Sequence, residues 1–206
     1  MDIRHLHQRA AADVWRVVSR IRPDQLHLPT PCADWTLHGL LRHLVSENLG
    51  FAAAATGKSD VDRNAVDRDA VDWDAVDWDA GRLGDSPAED YRRSAEEFDR
   101  AFADDGVLAS RMRVREFGVL PGSTALAMHF IDLVVHGWDV ARTIGADYRP
   151  DDELPSTALR LMRGFSGGQA ARVFGPPVAV DGSAGALDQL VAFLGRSPGW
   201  NGGGVG

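Results

Sequence analysis

The 206-residue chain carries 22 basic and 30 acidic side chains, and its formal charge of −8 is unevenly spread: Ser59 to Asp105 holds sixteen acidic against six basic residues, a net −10 that leaves the remainder at +2. No Lys/Arg-rich run forms a phosphate footprint, so nucleic acid is excluded as a partner, and a hydrophobic content of 44% suits a globular domain with a real core. No window reaches the roughly 18 apolar residues of a membrane span, the first residues read as a polar helix instead of a signal peptide, and a lone cysteine, Cys32, excludes an internal disulfide framework. A cytoplasmic protein is expected.

Leu6, Ala10, Val14, Val17, Val18 and Ile21 recur at three- and four-residue steps and predict a helix over about residues 2–21, stopped by Pro23. A turn-rich connector, 28–35, leads to Thr36, the expected N-cap of a second helix whose stripe is Leu37, Leu40, Leu41, Leu44, Val45 and Phe51. Between Val61 and Ala80 a five-residue unit of the kind Val-Asp-Trp-Asp-Ala repeats. A period of five matches neither helix nor strand, so an inserted acidic surface loop over 59–85 is expected. Trp73 and Trp78 are the residues that would make it a lid, since exposed tryptophan is costly unless it packs.

Ser86-Pro87-Ala88-Glu89 reads as a capping box opening a third helix, with Tyr91, Ala95, Phe98 and Phe102 as its stripe. Residues 107–120 predict an extended or hairpin-like piece. The longest apolar run, Thr124 to Ile144, is the fourth helix. A helix near 155–164, a Gly/Pro-rich connector, a short amphipathic helix over 186–194 and a disordered tail at 201–206 complete the chain. Four long helices without a strand series predict an all-α fold: a four-helix bundle over 1–150 with a long acidic inter-helix loop, and a small helical extension of the same domain over 151–200.

Of the seven histidines, His5, His7, His27 and His38 lie on a terminal turn, a connector or a helix start and are expected to be solvated. His43 borders the stripe of the second helix. On the fourth helix Asp132 and His136 are four residues apart and share a face, with His129 on nearly the same line. An apolar helix does not bury such groups without partners. Two readings account for them: an Asp–His hydrogen bond in the core, or a metal site with two ligands one turn apart on one helix and a third from a facing helix. Two histidines and a carboxylate suit zinc, with nickel, iron and cobalt compatible.

Thr30-Pro31-Cys32-Ala33-Asp34-Trp35-Thr36, then Leu40-Leu41-x-His43-Leu44-Val45, then Asp132-x-x-Val135-His136-Gly137-Trp138-Asp139-Val140-Ala141-Arg142 together resemble the metal-binding domain of mycothiol-dependent maleylpyruvate isomerase and its relatives in the DinB/YfiT-like superfamily. Leu83-Gly84-Asp85-Ser86-Pro87 and Phe174-Gly175-Pro176-Pro177 extend the resemblance over most of the chain. It implies a DinB-like four-helix bundle with His43, Asp132 and His136 as metal ligands, Asp132 standing where the isomerase has glutamate, and mycothiol as co-substrate. His129 and Glu47 are candidates for supporting those ligands from behind, a solvated glutamate being the other reading of Glu47. The isomerase has a C-terminal domain that contributes to its active site, whereas about sixty residues follow Ala146 here, so a different substrate is expected.

The expected function is a metal-dependent enzyme that activates a low-molecular-weight thiol for S-transfer to, or cis–trans isomerisation of, an electrophilic small molecule. The alternatives are a non-catalytic bundle that binds metal or a small ligand, and a thiol-independent Lewis-acid lyase or cyclase. Cys32 is a weaker candidate nucleophile that reads better as a structural thiol. Monomer and homodimer are both open.

Overall fold

The computed structural model describes residues 2–32, 35–57, 76–164 and 175–202. Trp73, the repeat copies before Val76 and the last four residues of the tail lie outside these. Seven α-helices are described: α1 (Ile3–Val18), α2 (Leu37–Thr56), α3 (Pro87–Ala101), α4 (Asp105–Ala109), α5 (Gly122–Ile144), α6 (Glu153–Gly164) and α7 (Ala186–Phe193). A two-stranded antiparallel hairpin, β1 (Arg111–Val114) with β2 (Gly118–Pro121), pairs Arg111 with Pro121 and Val114 with Gly118. The described residues are thus predominantly α-helical, with the four long helices falling where the apolar stripes place them. Among the described residues no helix is long and apolar enough to cross a membrane.

Local chemistry sets the helix ends. Asp2 caps α1, its carboxylate accepting from the backbone N–H of Arg4 at 3.0 Å and of His5 at 3.4 Å. α1 stops at Val18, earlier than the stripe suggests, because the Ile21 N–H reaches back only to the Val18 carbonyl and the chain tightens before Pro23. Thr36 caps α2 as expected, its Oγ1 accepting from Gly39 N–H at 3.3 Å.

The capping box expected at α3 is not formed. Ser86 occupies the N-cap position, but its backbone (φ −128°, ψ 73°) departs from the extended cap geometry and its side chain makes no capping hydrogen bond. Asp90, one turn on, instead accepts from Gly84 N–H at 2.7 Å. The stretch read as extended or hairpin-like contains the hairpin, preceded by α4, a single turn capped by Asp104 and too short to show a period. α5 starts at Gly122, where a Cβ would meet the Val107 carbonyl oxygen at 1.9 Å. Only glycine permits that approach.

The chain forms two compact units. One comprises Met1–Leu40 and Phe130–Gly206. Its α1 buries Leu6, Ala10, Val14, Val17 and Val18, and α6 packs on α7, with Leu154, Ala158 and Met162 buried on the first and Leu190, Val191 and Ala192 on the second. The other, Leu41–His129, has a core rich in aromatic side chains, in which Phe98 stacks on Phe102 with ring centroids 4.4 Å apart. Each fully buried side chain of this size contributes about 1.5–3 kcal/mol relative to exposure.

Candidate metal centre

The first unit carries a buried row of charged groups built on the second half of α5. His136 Nε2 lies 3.2 Å from Asp132 Oδ1, and His136 Nδ1 lies 2.9 Å from Asp139 Oδ2. Both carboxylates come from the same helix, four residues before and three after the histidine, so helical geometry alone puts one at each ring nitrogen. Asp139 has no exposed surface and is gripped from its far side by Arg196, with Nη2 at 3.1 Å from Oδ2 and Nε at 3.5 Å from Oδ1. Arg196 is itself buried and donates a further hydrogen bond to the Leu194 carbonyl at 2.8 Å.

Burial works against a charged imidazole, but the carboxylates Asp132 and Asp139 outweigh it and raise the His136 pKa to about 9. The Gly137 between these residues is required by packing: a Cβ there would meet Tyr148 Oη at 2.7 Å. The tyrosine hydroxyl instead donates to the Val134 carbonyl at 3.2 Å.

The 30–36 motif brings two more groups to the same place. Thr30 Oγ1 lies 2.9 Å from the Cys32 carbonyl and 3.0 Å from the Trp35 carbonyl, closing the connector on itself. The Trp35 ring stands 5.9 Å from the His136 ring. Cys32, His136 and Asp139 offer donor atoms within 4.8 Å of one another.

Burial is the main cause that pushes the Cys32 thiol up to about 11; Asp139 and Asp132 add to it, while Arg196 opposes it. Cys32 is therefore a poor nucleophile near neutrality, in keeping with its reading as a structural thiol. At pH 8 its thiolate fraction is roughly two hundred times below that of a free cysteine. Iodoacetamide labelling followed by mass spectrometry is expected to leave Cys32 unmodified in the native chain while labelling it rapidly in urea.

The second unit places His43 and Glu47 one turn apart on α2. His43 is half-buried, and its Nδ1 lies 3.9 Å from Glu47 Oε1, within ion-pair range and beyond hydrogen-bond reach. Glu47 is not solvated: it is buried, and its Oε1 accepts from the Arg115 guanidinium. Arg115 leaves the hairpin with a left-handed backbone (φ +40°), donates to the Trp78 carbonyl at 3.0 Å and lies over the Trp78 ring at 5.1 Å.

That ring meets Phe51 edge-on at 5.2 Å and covers Gly50, where a Cβ would come within 2.4 Å of it. The last repeat copy, Val76–Ala80, is thus docked on α2 through its tryptophan. His129 is buried with its ring stacked on Phe98 at 4.1 Å and edge-on to Phe51 at 5.1 Å.

His5, His27 and His38 are exposed as expected, but His7 is buried. It stands three residues before Ala10 and seven before Val14, so it falls within the α1 stripe. The residues that sequence reasoning left without a role are Asp139, Arg196 and Arg115. The first was findable from its spacing to His136. Arg196 lies 57 residues from its partner and carries no local signal.

A family model described as the mycothiol maleylpyruvate isomerase N-terminal domain matches residues 7–141, more than half of the chain. The matched span takes in His43, Asp132, His136 and Asp139 and ends before Arg196. Two relatives, uncharacterized proteins of Mycobacterium tuberculosis from strains CDC 1551 / Oshkosh and H37Rv, are each 27% identical over 200 residues, which cover 96% of this chain and 99% of theirs. No solved structure matches.

Proposed function

Because the chain belongs to the mycothiol maleylpyruvate isomerase N-terminal domain family, we propose that it is a metal-dependent enzyme acting on a low-molecular-weight thiol, mycothiol by family, with His43, Asp132 and His136 as metal ligands. The observation that carries this is the setting of His136. Nδ1 faces Asp139 Oδ2 at 2.9 Å and Nε2 faces Asp132 Oδ1 at 3.2 Å, so an ion that displaced the Nε2 proton would leave Nδ1 donating to Asp139 and Nε2 free to ligate. Two donors bonded at about 2.1 Å to one ion stand roughly 3.0–3.5 Å apart, so the pair fits one edge of a coordination shell.

A carboxylate behind a ligating imidazole fixes its tautomer and raises its basicity. We take the third donor to be His43, the residue to which the family resemblance gives that role. Two nitrogens and an oxygen suit zinc, with nickel, iron and cobalt compatible.

His43, Asp132 and His136 would hold a divalent ion, which would supply the positive charge that favours the thiolate form of a thiol of pKa ~8.5 at neutral pH. The chain's own residues position and exclude water: Asp139 holds the Nδ1 proton, and the buried row keeps solvent from the ligand's far side. The thiolate adds to an activated C=C bond of a small molecule: the C–S bond forms as the π bond breaks, and its electron pair passes to the conjugated acceptor group. Protonation at carbon by water leaves the sulfur in place, which is S-transfer; rotation about the resulting single bond, followed by C–S cleavage that restores the C=C bond and returns the thiolate, is cis–trans isomerisation.

Mycothiol consumption and product formation, followed across a panel of electrophiles with zinc-loaded and chelator-treated protein, test this. Acceleration by the zinc-loaded protein alone is the expected result. No acceleration with any electrophile would favour a binding protein, and turnover of an electrophile without thiol would favour a Lewis-acid lyase or cyclase.

A further inference from the structure

We infer that the segment after α7 completes the metal centre, with Arg196 acting through Asp139 as a positioning residue for His136, an inference that rests on the metal site proposed above. Arg196 and the turn that delivers it lie beyond the span that matches the family, while Asp139 and His136 lie within it.

The route by which Arg196 arrives is specific. α7 ends in a Schellman turn: Gly195 adopts φ +83°, its N–H bonds the Ala192 carbonyl at 3.1 Å, and the Arg196 N–H bonds the Val191 carbonyl at 2.9 Å. The glycine reverses the chain, and the next side chain enters the interior. Beyond it, the Pro198 carbonyl accepts from the guanidinium of Arg142, a residue of α5 that also lies over the Trp138 ring at 5.3 Å. The segment is therefore tied to α5 at two points, and one of them is the carboxylate behind His136.

Asp139 Oδ2 takes both the His136 Nδ1 proton and Arg196 Nη2, while Oδ1 takes Arg196 Nε. A guanidinium engaging both oxygens fixes the plane of the carboxylate. The direction of the acceptor for Nδ1 follows from that plane, and the direction of Nε2 follows from the ring. Without Arg196 the hydrogen bond to His136 is what remains to the buried Asp139 carboxylate among the described residues, and the carboxylate is free to turn with the imidazole. Apolar packing would serve stability alone as well as a buried ion pair does. What the pair adds is a defined orientation for one ligand.

Cobalt binding to the full-length chain, measured by chelator competition and by the visible spectrum at saturation, tests this with Arg196→Met and Arg196→Lys. Loss of a partner behind a ligand costs roughly 10- to 100-fold in metal affinity. Arg196→Met is expected to fall in that range with an altered cobalt spectrum, and Arg196→Lys, which keeps the charge but not the fork, to recover part of the affinity. A folded Arg196→Met that binds cobalt with wild-type affinity and spectrum would overturn the inference. If that variant does not fold, wild-type affinity and spectrum in Arg196→Lys would do the same. A wild-type chain that binds no cobalt would overturn the metal site itself, and this inference with it.

Discussion

His136→Ala is expected to abolish metal binding and to destabilise the metal-free chain by about 3 kcal/mol, the lower end of what breaking a buried ion pair costs. The ring stands between Asp132 and Asp139 along their shared helix face, and both of its nitrogens are engaged. After its removal Asp139 keeps Arg196, and Asp132, which is 13% exposed, regains water in part. That relief keeps the cost from reaching the upper end.

His43→Ala provides the contrast. It removes a ligand from a position that is 21% exposed and where the Glu47 carboxylate stands at 3.9 Å, so metal is lost with a stability change of under about 1 kcal/mol. Zinc content after dialysis and urea unfolding of the metal-free proteins measure both effects. Equal zinc in wild type and both variants would sink the ligand assignment.

Phe98→Ala is expected to have the largest effect on the second unit, a loss of about 3–5 kcal/mol. Phe98 is 1% exposed and its ring lies between two others, Phe102 at 4.4 Å and His129 at 4.1 Å. Its removal therefore opens a cavity lined by rigid aromatic groups that collapse poorly, and also forfeits stacking worth about 0.5–1.5 kcal/mol for each pair. The urea midpoint is the measurement, with Phe102→Leu as a milder comparison. A loss below about 1 kcal/mol would show that the ring stack is not part of the core.

Periodicity along one helix is a local property, and it was legible. The stripes on α1, α2, α3 and α5 mark those helices because burial of one face is decided by residues three and four apart. The same locality exposes Asp132 and His136 as neighbours, and the three-residue step to Asp139 carries equal information. Where a single turn or a hydroxyl decides, the pattern is weaker. α4 is too short to show a period, and Ser86 has the identity of a cap without the backbone to act as one.

Charge and burial of individual polar groups were not legible, because their partners are remote in the chain. Glu47 reads as either a supporting or a solvated glutamate until Arg115, 68 residues on, reaches it, and Trp78 reads as part of an inserted acidic loop until Gly50 and Phe51 receive its ring. The acidic stretch that dominates the composition is thus anchored at its end by a tryptophan and an arginine.

The sequence by itself determined the helical class, the long helices and the Asp132–His136 pairing on one face, since each follows from spacing within one element; His43 joined them as a candidate ligand through the family resemblance. Only the tertiary structure decided which carboxylates are buried and what faces them. An ionised group removed from water survives only beside a counter-charge, and for Asp139 that counter-charge, Arg196, is delivered by a turn 57 residues away.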